Sequence, residues 1–268
     1  MDAVPSLGGA AKRGKTEIGR TQTTNAPLGP YVLYGLLASA CFAVSFLYLI
    51  GFTGNLLVPK SIDSGLPEPI GRALPIDLLL VSIFAVQHSV MARQGFKKWW
   101  TRMVPAPVER STYVLLASIA TGLLFWQWRP IPVVVWNVEN PAGRALLILM
   151  FCLGWVLLLL ATMLIAPLDL LGLRQIYAYG RGTPYNPPGF STPALYRCVR
   201  HPVYLGFLTA FWAAPRMTVG HFVFAAAMTV YILAGISLEE RDLVRTFGDA
   251  YRQYRRQVPM LLPLRRRR

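Results

Sequence analysis

The chain has 268 residues, of which 54% are hydrophobic and 15% are charged, and its formal net charge is +15. An average soluble domain carries about 25% charged residues, and the apolar residues here come in blocks long enough to cross a membrane, so the composition excludes an ordinary soluble protein. The basic residues flank the apolar blocks, which favours anionic lipid headgroups over nucleic acid as their partner.

Residues 1–29 are polar and rich in Gly, Thr and Ala, which predicts a disordered N-terminal tail. Four apolar blocks follow, each close to the roughly 20 residues that a membrane-crossing helix needs. Lys and Arg are concentrated in the tail and in the loops after the second and fourth blocks, so the positive-inside rule predicts cytoplasmic N- and C-termini. The predicted spans are 31–56, 74–92, 112–128 and 145–168.

The fifth apolar block, 203–238, would form a helix of about 54 Å at 1.5 Å per residue, which is too long for one span. Pro215 interrupts it, and proline breaks a helix interior. We therefore expect a helical hairpin, with a short arm near 203–213 and a longer arm near 218–238. Arg216 and His221 fall at its tip, where we expect them to lie at the membrane interface.

The stretch "RCVRHPVYLGF" places two cationic side chains at the start of the short arm. Proline is favoured in the first turn of a helix, so Pro202 predicts a helix start with His201 at its cap. The free N–H groups of a helix N-terminus attract anions, and Arg200, His201 and the Tyr204 hydroxyl would add to such a site. We predict a carboxylate or phosphate site here; the alternative is that Arg200 and His201 anchor the span to lipid phosphates.

The C-terminal segment from Glu240 onward predicts one amphipathic helix that lies along the inner membrane surface. Glu240 is anomalous because it falls on the apolar side, where a carboxylate requires a cation. Glu239 is close enough to share that role, and a structural ion pair with Arg200 or Arg197 is the alternative. The apolar stripe consists of Leu243, Phe247, Tyr251, Tyr254 and Val258.

His88 is an ionisable residue within the second span, and such residues are commonly functional. It is the first candidate for a catalytic proton acceptor, with His201 as the second; the alternative is that His88 bonds a neighbouring helix. The proline-rich loop 180–193 is either a plain coil or a lid over a ligand. The residues beside this loop that we expect to reach a substrate are Gln175, Tyr177 and Tyr179.

Three stretches near the C-terminus, "RHPVYLG" at 200–206, "EERDL" at 239–243 and "FGDAYRQYRRQVP" at 247–259, form a recognisable set. Together they resemble the isoprenylcysteine carboxyl methyltransferase and phospholipid methyltransferase superfamily. The upstream stretches "QHSVMAR", "VPAPVERSTYVL" and "LDLLGLRQ" are similar to the bacterial methanethiol S-methyltransferase branch and its NnrU-like relatives. With both parts, the resemblance covers most of the chain after residue 30.

This resemblance implies a membrane methyltransferase domain over 30–260, followed by a basic tail at 261–268, with S-adenosylmethionine as the methyl donor. The donor's carboxylate is expected at the start of the short arm, and its ammonium or sulfonium at Glu239 and Glu240. The predicted cofactor-binding residues are Arg200, His201, Tyr204, Gly206, Glu239, Glu240, Tyr196 and Tyr251, and the predicted catalytic residues are His88, His201 and Glu240. No metal site is expected.

The implied reaction is an in-line displacement in which a small volatile thiol, methanethiol, takes the methyl group and becomes dimethyl sulfide. Two alternatives stay open. The acceptor is instead a prenylcysteine carboxylate or a lipid amine, or the protein is a non-catalytic NnrU-like accessory protein. The sequence predicts an all-α polytopic membrane bundle of four spans, a C-terminal helical hairpin and an interfacial amphipathic helix, and leaves the oligomeric state undefined.

Overall fold

The computed structural model describes residues 27–263, which form a bundle of α-helices with one small two-stranded sheet. Two short 3₁₀ turns, Ala106–Val108 and Ala194–Arg197, precede the fourth and eighth helices. The helices are α1 (Leu28–Gly54), α2 (Ile70–Met91), α3 (Gln94–Trp100), α4 (Glu109–Gln127), α5 (Pro141–Ile165), α6 (Pro167–Leu170), α7 (Leu173–Gly180), α8 (Pro202–Trp212), α9 (Val219–Phe247) and α10 (Asp249–Gln257). The strands are β1 (Val134–Asn137) and β2 (Arg216–Thr218).

Five helices are long and apolar enough to cross a membrane: α1, α2, α4 with the 3₁₀ turn before it, α5 and α9. These helices confirm the predicted all-α polytopic membrane bundle. The eleven-residue α8 is apolar but too short to span a bilayer, so the hairpin has the predicted short arm. All four predicted spans begin three or four residues earlier than predicted, and the predicted tails fall mainly on residues 1–26 and 264–268, outside the described part.

Helix α8 packs closely along α5 because small residues face each other across the contact. A Cβ at Gly206 would lie 2.6 Å from the carbonyl oxygen of Gly154, and a Cβ at Gly154 would lie 2.7 Å from the backbone nitrogen of Ala210. Small residues let membrane helices approach backbone to backbone. This contact fixes the direction in which the first turn of α8 points.

The tip of the α8–α9 hairpin is held by a sheet that the sequence did not predict. Strand β2 pairs antiparallel with β1, in the segment that links α4 to α5. The Thr218 side chain caps α9 by accepting a hydrogen bond from the His221 N–H at 3.1 Å. The prediction that His221 is interfacial is wrong: it is 1% exposed and its Nε2 lies 3.0 Å from the Phe211 carbonyl oxygen.

The predicted amphipathic helix is divided in two, which corrects the expectation of a single helix from Glu240 onward. Helix α9 carries Glu240 and continues to Phe247, and Gly248 then has a φ of +57° before α10 begins. Glycine adopts such left-handed backbone angles without a steric penalty. Because of this break, α10 turns back toward the start of α8 and brings Tyr251 to its buried position.

The core between the long helices is aromatic. Phe52 packs against Phe125, Trp128 and Phe224, with ring centroids 5.0 to 6.1 Å apart. Edge-to-face arrangements at such separations are favourable. This packing holds α1, α4 and α9 together around the cavity described below.

Candidate active site

A charged cluster lies where α8, α9 and α10 meet. Nε of Arg200 donates a hydrogen bond to Oε1 of Glu240 at 2.7 Å, and the two side chains are only 9% and 12% exposed. The Arg200 Nη1 donates to the carbonyl oxygen of Arg255 at 3.1 Å. The helix start and the acid that the sequence singled out are therefore in direct contact, as the alternative of a structural ion pair had anticipated.

His201 belongs to the same cluster. Its Nε2 lies 3.2 Å from Oε1 of Glu240, and the residue is 5% exposed. Because a carboxylate only accepts hydrogen bonds, Nε2 carries the proton in this contact. His201 precedes Pro202, which occupies the first position of α8 as predicted. Glu240 thus receives two donors on one oxygen, and its Oε2 faces Nη1 of Arg255 at 3.8 Å.

The backbone around Arg200 is fastened to the end of the chain. The Arg200 N–H donates to the Pro259 carbonyl at 2.9 Å, and the His201 N–H donates to the Met260 carbonyl at 3.1 Å. Two backbone hydrogen bonds and the Arg200 side chain therefore hold the segment after α10 against the start of α8. This arrangement makes the cluster rigid, since each partner is fixed by another element.

Glu239 is the more accessible of the two neighbouring acids. It is exposed at the surface of α9, and its Oε2 accepts a hydrogen bond from the Tyr204 hydroxyl at 2.8 Å. Tyr204 and His201 have ring centroids 5.6 Å apart. Tyr204 therefore connects the charged cluster to the interior of the bundle.

Aromatic side chains cover the cluster on its α10 side. Tyr251 is 2% exposed and its hydroxyl has no hydrogen-bond partner among the described residues. Burial raises the pKa of Tyr251, and the nearby Glu240 carboxylate raises it further. Tyr254 donates a hydrogen bond to the Tyr196 carbonyl oxygen at 2.5 Å, and burial raises the pKa of Tyr254 to about 12. These phenols stay protonated at neutral pH and act as hydrogen-bond donors.

Phe190 joins this aromatic cover from the loop 180–193. Its ring lies 5.4 Å from Phe247, 5.8 Å from Tyr251 and 5.5 Å from Tyr254, measured between centroids. The loop is therefore attached to the C-terminal helices beside the cluster. Sequence reasoning identified the loop but missed Phe190, because a single aromatic residue in a proline-rich segment has no distinctive pattern.

Two predicted cofactor residues point elsewhere. Gly206 lies in the α5–α8 contact, where the Gly154 carbonyl occupies the space of a side chain, so helix packing alone accounts for the glycine. The Tyr196 hydroxyl donates to the Ala161 carbonyl of α5 at 3.3 Å. The role of Gly206 and Tyr196 toward a cofactor stays a prediction, since these contacts are with the protein itself.

His88 lies near the end of α2 and contacts aromatic residues on three sides. Its Nε2 is 2.8 Å from the Tyr113 hydroxyl, and its Nδ1 is buried without a partner among the described residues. The Phe84 and Tyr231 rings have centroids 5.3 and 6.4 Å from the imidazole. The expected bond to a neighbouring helix is present, and it uses only one of the two ring nitrogens.

A cavity of about 210 Å³ joins His88 to Tyr204. Helices α1, α2, α4, α8 and α9 all contribute to its wall, which includes seven phenylalanine rings. Because Tyr204 donates to Glu239, the cavity reaches the edge of the charged cluster. The apolar cavity therefore lies next to the charged cluster, which carries both cationic and anionic side chains.

The sequence pattern of the family described as "NnrU protein" matches residues 78–262. The chain belongs to the NnrU family. The match begins within α2 and includes His88, the charged cluster and every helix from α3 to α10, and it confirms the predicted NnrU-like relationship.

Individual relatives of this NnrU-family chain cover most of its length. Methanethiol S-methyltransferase of Mycobacterium tuberculosis is 54% identical over 87% of this chain and 95% of that protein. Methanethiol S-methyltransferase 1 of Bradyrhizobium diazoefficiens is 55% identical over 87% of this chain and 82% of that protein. Nurim of Mus musculus is 30% identical over 64% of this chain and 68% of that protein. No solved structure matches the chain.

The three residues expected beside the loop lie on α7, away from the cavity wall. Tyr177 is exposed, with the Arg181 guanidinium 5.8 Å from its ring centroid, and Tyr179 packs edge-on against Tyr31 of α1. Gln175 has a buried Oε1 without a partner among the described residues. In this NnrU-family chain, the tyrosines that contact His88 are Tyr113 and Tyr231. They come close to His88 only when the helices pack together, so the sequence alone does not identify them.

Proposed function

We propose that the protein is an integral membrane methyltransferase that uses S-adenosylmethionine to convert methanethiol to dimethyl sulfide. The observation that carries the proposal is the cavity that joins His88 to Tyr204 beside the charged cluster. The relatives with about half of their residues in common are methanethiol S-methyltransferases, which supports the choice of acceptor.

The charged cluster fits the zwitterionic end of the donor. Arg200 and His201, next to the N-terminus of α8, suit a carboxylate, while the exposed Glu239 suits an ammonium or sulfonium group. Glu240 is already bonded to Arg200 and His201, so its role is to hold these two side chains in position. The buried, unpartnered Tyr251 hydroxyl offers one more donor beside them.

When bound, the donor would supply an electrophilic methyl group on a sulfonium sulfur. The protein's part is to position the acceptor and to remove its proton. Thiolates are far better nucleophiles than thiols. His88 lines the apolar cavity, and its buried Nδ1 has no hydrogen-bond partner among the described residues. If Nε2–H of His88 donates to the Tyr113 hydroxyl, Nδ1 carries the lone pair that accepts the thiol proton. The walls exclude water from the nucleophile.

The size of the cavity also helps to choose between the alternative acceptors. A prenyl chain or a lipid amine requires a long groove, whereas the cavity beside His88 measures about 210 Å³. Methanethiol and dimethyl sulfide are small and apolar, so they can enter and leave through lipid. An accessory role without catalysis gives no reason for two neighbouring acids, one of them buried, beside a histidine-bearing cavity.

We further propose that the N- and C-termini are cytoplasmic in a bacterial inner membrane, with the charged cluster at the inner leaflet. In this topology α8 and the β2 strand that pairs with β1 together bring the chain back to the outer side before α9 crosses. The loop cations after α2, Lys97, Lys98 and Arg102, would then face anionic lipid headgroups. Their attraction to the membrane surface would fall as the salt concentration rises.

Headspace gas chromatography tests the function directly. Purified protein in detergent is given methanethiol and S-adenosylmethionine, and dimethyl sulfide is expected from the wild type but not from Glu240→Ala or His201→Ala. The control is Asp242→Asn, which removes one partner of an ion pair whose side chains are 37% and 49% exposed. Donor binding without a volatile product would point to another acceptor, and no donor binding at all would overturn the proposal.

A further inference from the structure

The cavity beside His88 is much larger than methanethiol needs. Methanethiol has one carbon and one sulfur, whereas an apolar protein cavity of roughly 150 Å³ already takes up benzene. The cavity here measures about 210 Å³ and is walled by seven phenylalanine rings. Its size and lining therefore match a compact aromatic guest at least as well as the smallest thiol.

The polar groups of the wall do not compete with such a guest. Ser118 and Thr121 donate their hydroxyls to the carbonyl oxygens of Val114 and Ala117, one turn back on α4, at 2.9 and 2.8 Å. Ser45 donates to the Ser118 carbonyl oxygen at 3.5 Å. These hydroxyls are satisfied within the protein.

Of the described residues that line the cavity, His88 is the one with a buried polar atom lacking a hydrogen-bond partner. A guest with one S–H group and an otherwise apolar body therefore satisfies the wall. The S–H group would pair with Nδ1 of His88 after a small rotation of the imidazole, and the rest of the molecule would pack against aromatic rings.

Given the proposed function, we infer that the enzyme also methylates compact apolar thiols up to the size of benzenethiol, because the His88 cavity accommodates an aromatic ring. The acceptor sulfur forms a new bond to the methyl carbon while the bond between that carbon and the donor sulfur breaks. The thiol proton passes to Nδ1 of His88. The products are methyl phenyl sulfide, S-adenosylhomocysteine and one proton.

The chain offers a matched pair of glycines to test this. Gly235 lines the cavity from α9, and a Cβ built on it meets no atom within 4 Å, so a side chain there enters open space. Gly122 on α4 is equally open but is not part of the cavity wall. Gly235→Leu reduces the space in the cavity, whereas Gly122→Leu makes the same chemical change outside the cavity.

The experiment compares methanethiol with benzenethiol, using purified full-length protein, S-adenosylmethionine and gas chromatography of both sulfides. Wild type is expected to form both products. Gly235→Leu is expected to lower the benzenethiol rate at least about tenfold more than the methanethiol rate, as a few excess carbon atoms do in an apolar pocket. Gly122→Leu should leave the ratio of the two rates unchanged.

A second measurement needs no variant: benzene, which cannot be methylated, should inhibit methanethiol turnover competitively. Dimethyl sulfide formation without methyl phenyl sulfide, or an equal effect of both leucine variants on the ratio, would overturn the inference while leaving the proposed function standing. If neither thiol is methylated, the proposed function itself fails.

Discussion

The charged cluster and the cavity are adjacent, but they are built in opposite ways. The cluster comes from a few residues in two short stretches, and Arg200, His201 and Glu240 are held by hydrogen bonds to one another. The cavity is lined by residues from five helices, and among the described lining residues only His88 has a buried polar atom without a partner, its Nδ1. The comparison suggests that donor recognition depends on a local polar network, whereas acceptor recognition depends on how the whole bundle packs.

Removing the charge of Glu240 is expected to have the largest effect. Glu240→Gln leaves the Arg200 guanidinium, in a side chain that is 9% exposed, without its carboxylate, and breaking a buried ion pair costs about 3–5 kcal/mol. We expect donor affinity, measured by isothermal titration calorimetry, to fall about 100-fold, which is roughly 3 kcal/mol. Asp242→Asn is the control. Equal losses of donor affinity in both variants would show that the charged cluster has no particular role in donor binding.

His88→Ala tests the other side of the comparison. Without Nδ1 to accept the thiol proton, methanethiol turnover should fall on the order of 100-fold, while donor affinity stays at the wild-type value. His201→Ala should instead weaken donor binding, because it removes a contact to Glu240. A His88→Ala protein that loses donor affinity as well would contradict the division into two regions.

The acidity of the acceptor thiol gives a second test of the role of His88. Aryl thiols are more acidic than alkyl thiols, so a larger share of benzenethiol is already thiolate at neutral pH. We expect His88→Ala to reduce the benzenethiol rate less than the methanethiol rate, in assays run side by side at one pH. Equal reductions would argue that His88 positions the acceptor rather than accepting its proton.

Gly206→Ala should affect both the charged cluster and the cavity, because it disturbs the packing of α8 against α5. The added Cβ would lie 2.6 Å from the Gly154 carbonyl oxygen, and overpacking of this kind costs about 1–3 kcal/mol. We expect a lower midpoint of thermal unfolding in detergent, with donor affinity per folded molecule nearly preserved. Gly71→Ala, where a Cβ meets nothing within 4 Å, is the matched control. A fully stable Gly206→Ala protein without donor binding would instead support the cofactor role predicted from the sequence.

Tyr204→Phe should have the smallest effect. It removes one hydrogen bond to the Glu239 carboxylate, and a hydrogen bond to a charged group is worth about 1.5–3 kcal/mol, less where the acceptor is exposed to water. We expect a loss of roughly tenfold or less in kcat/KM for the donor. Tyr177→Phe, on the exposed face of α7, should match the wild type.

The two regions also differ in how far the sequence predicts them. Arg200, His201, Glu239 and Glu240 were found because a proline start and acids on an apolar stripe are local signals. Tyr231 and Gly235 of the cavity wall, and Tyr113, which bonds His88, were missed because nothing in their immediate sequence distinguishes them from ordinary helix packing. Their role depends on which faces of α2, α4 and α9 meet, and that is decided by contacts distant in the sequence.

The same distinction explains the corrections to the fold. Span positions followed from runs of apolar residues, whereas the β1–β2 pairing joins segments some 80 residues apart and has no local signal. A helical wheel continues through Gly248 without interruption, but the backbone there turns to a φ of +57°. His221 was expected at the interface because it is polar, yet a backbone carbonyl partner allows it to be buried.

Fastening the start of α8 to Pro259 and Met260 has a consequence for biogenesis. Pro259 and Met260 follow every described helix in the sequence, so their carbonyl groups are synthesised after those helices. A growing chain can therefore form the apolar cavity before the start of α8 has gained these two hydrogen bonds. The start of α8 therefore gains these two hydrogen bonds only after residue 260 has been synthesised and has left the ribosome.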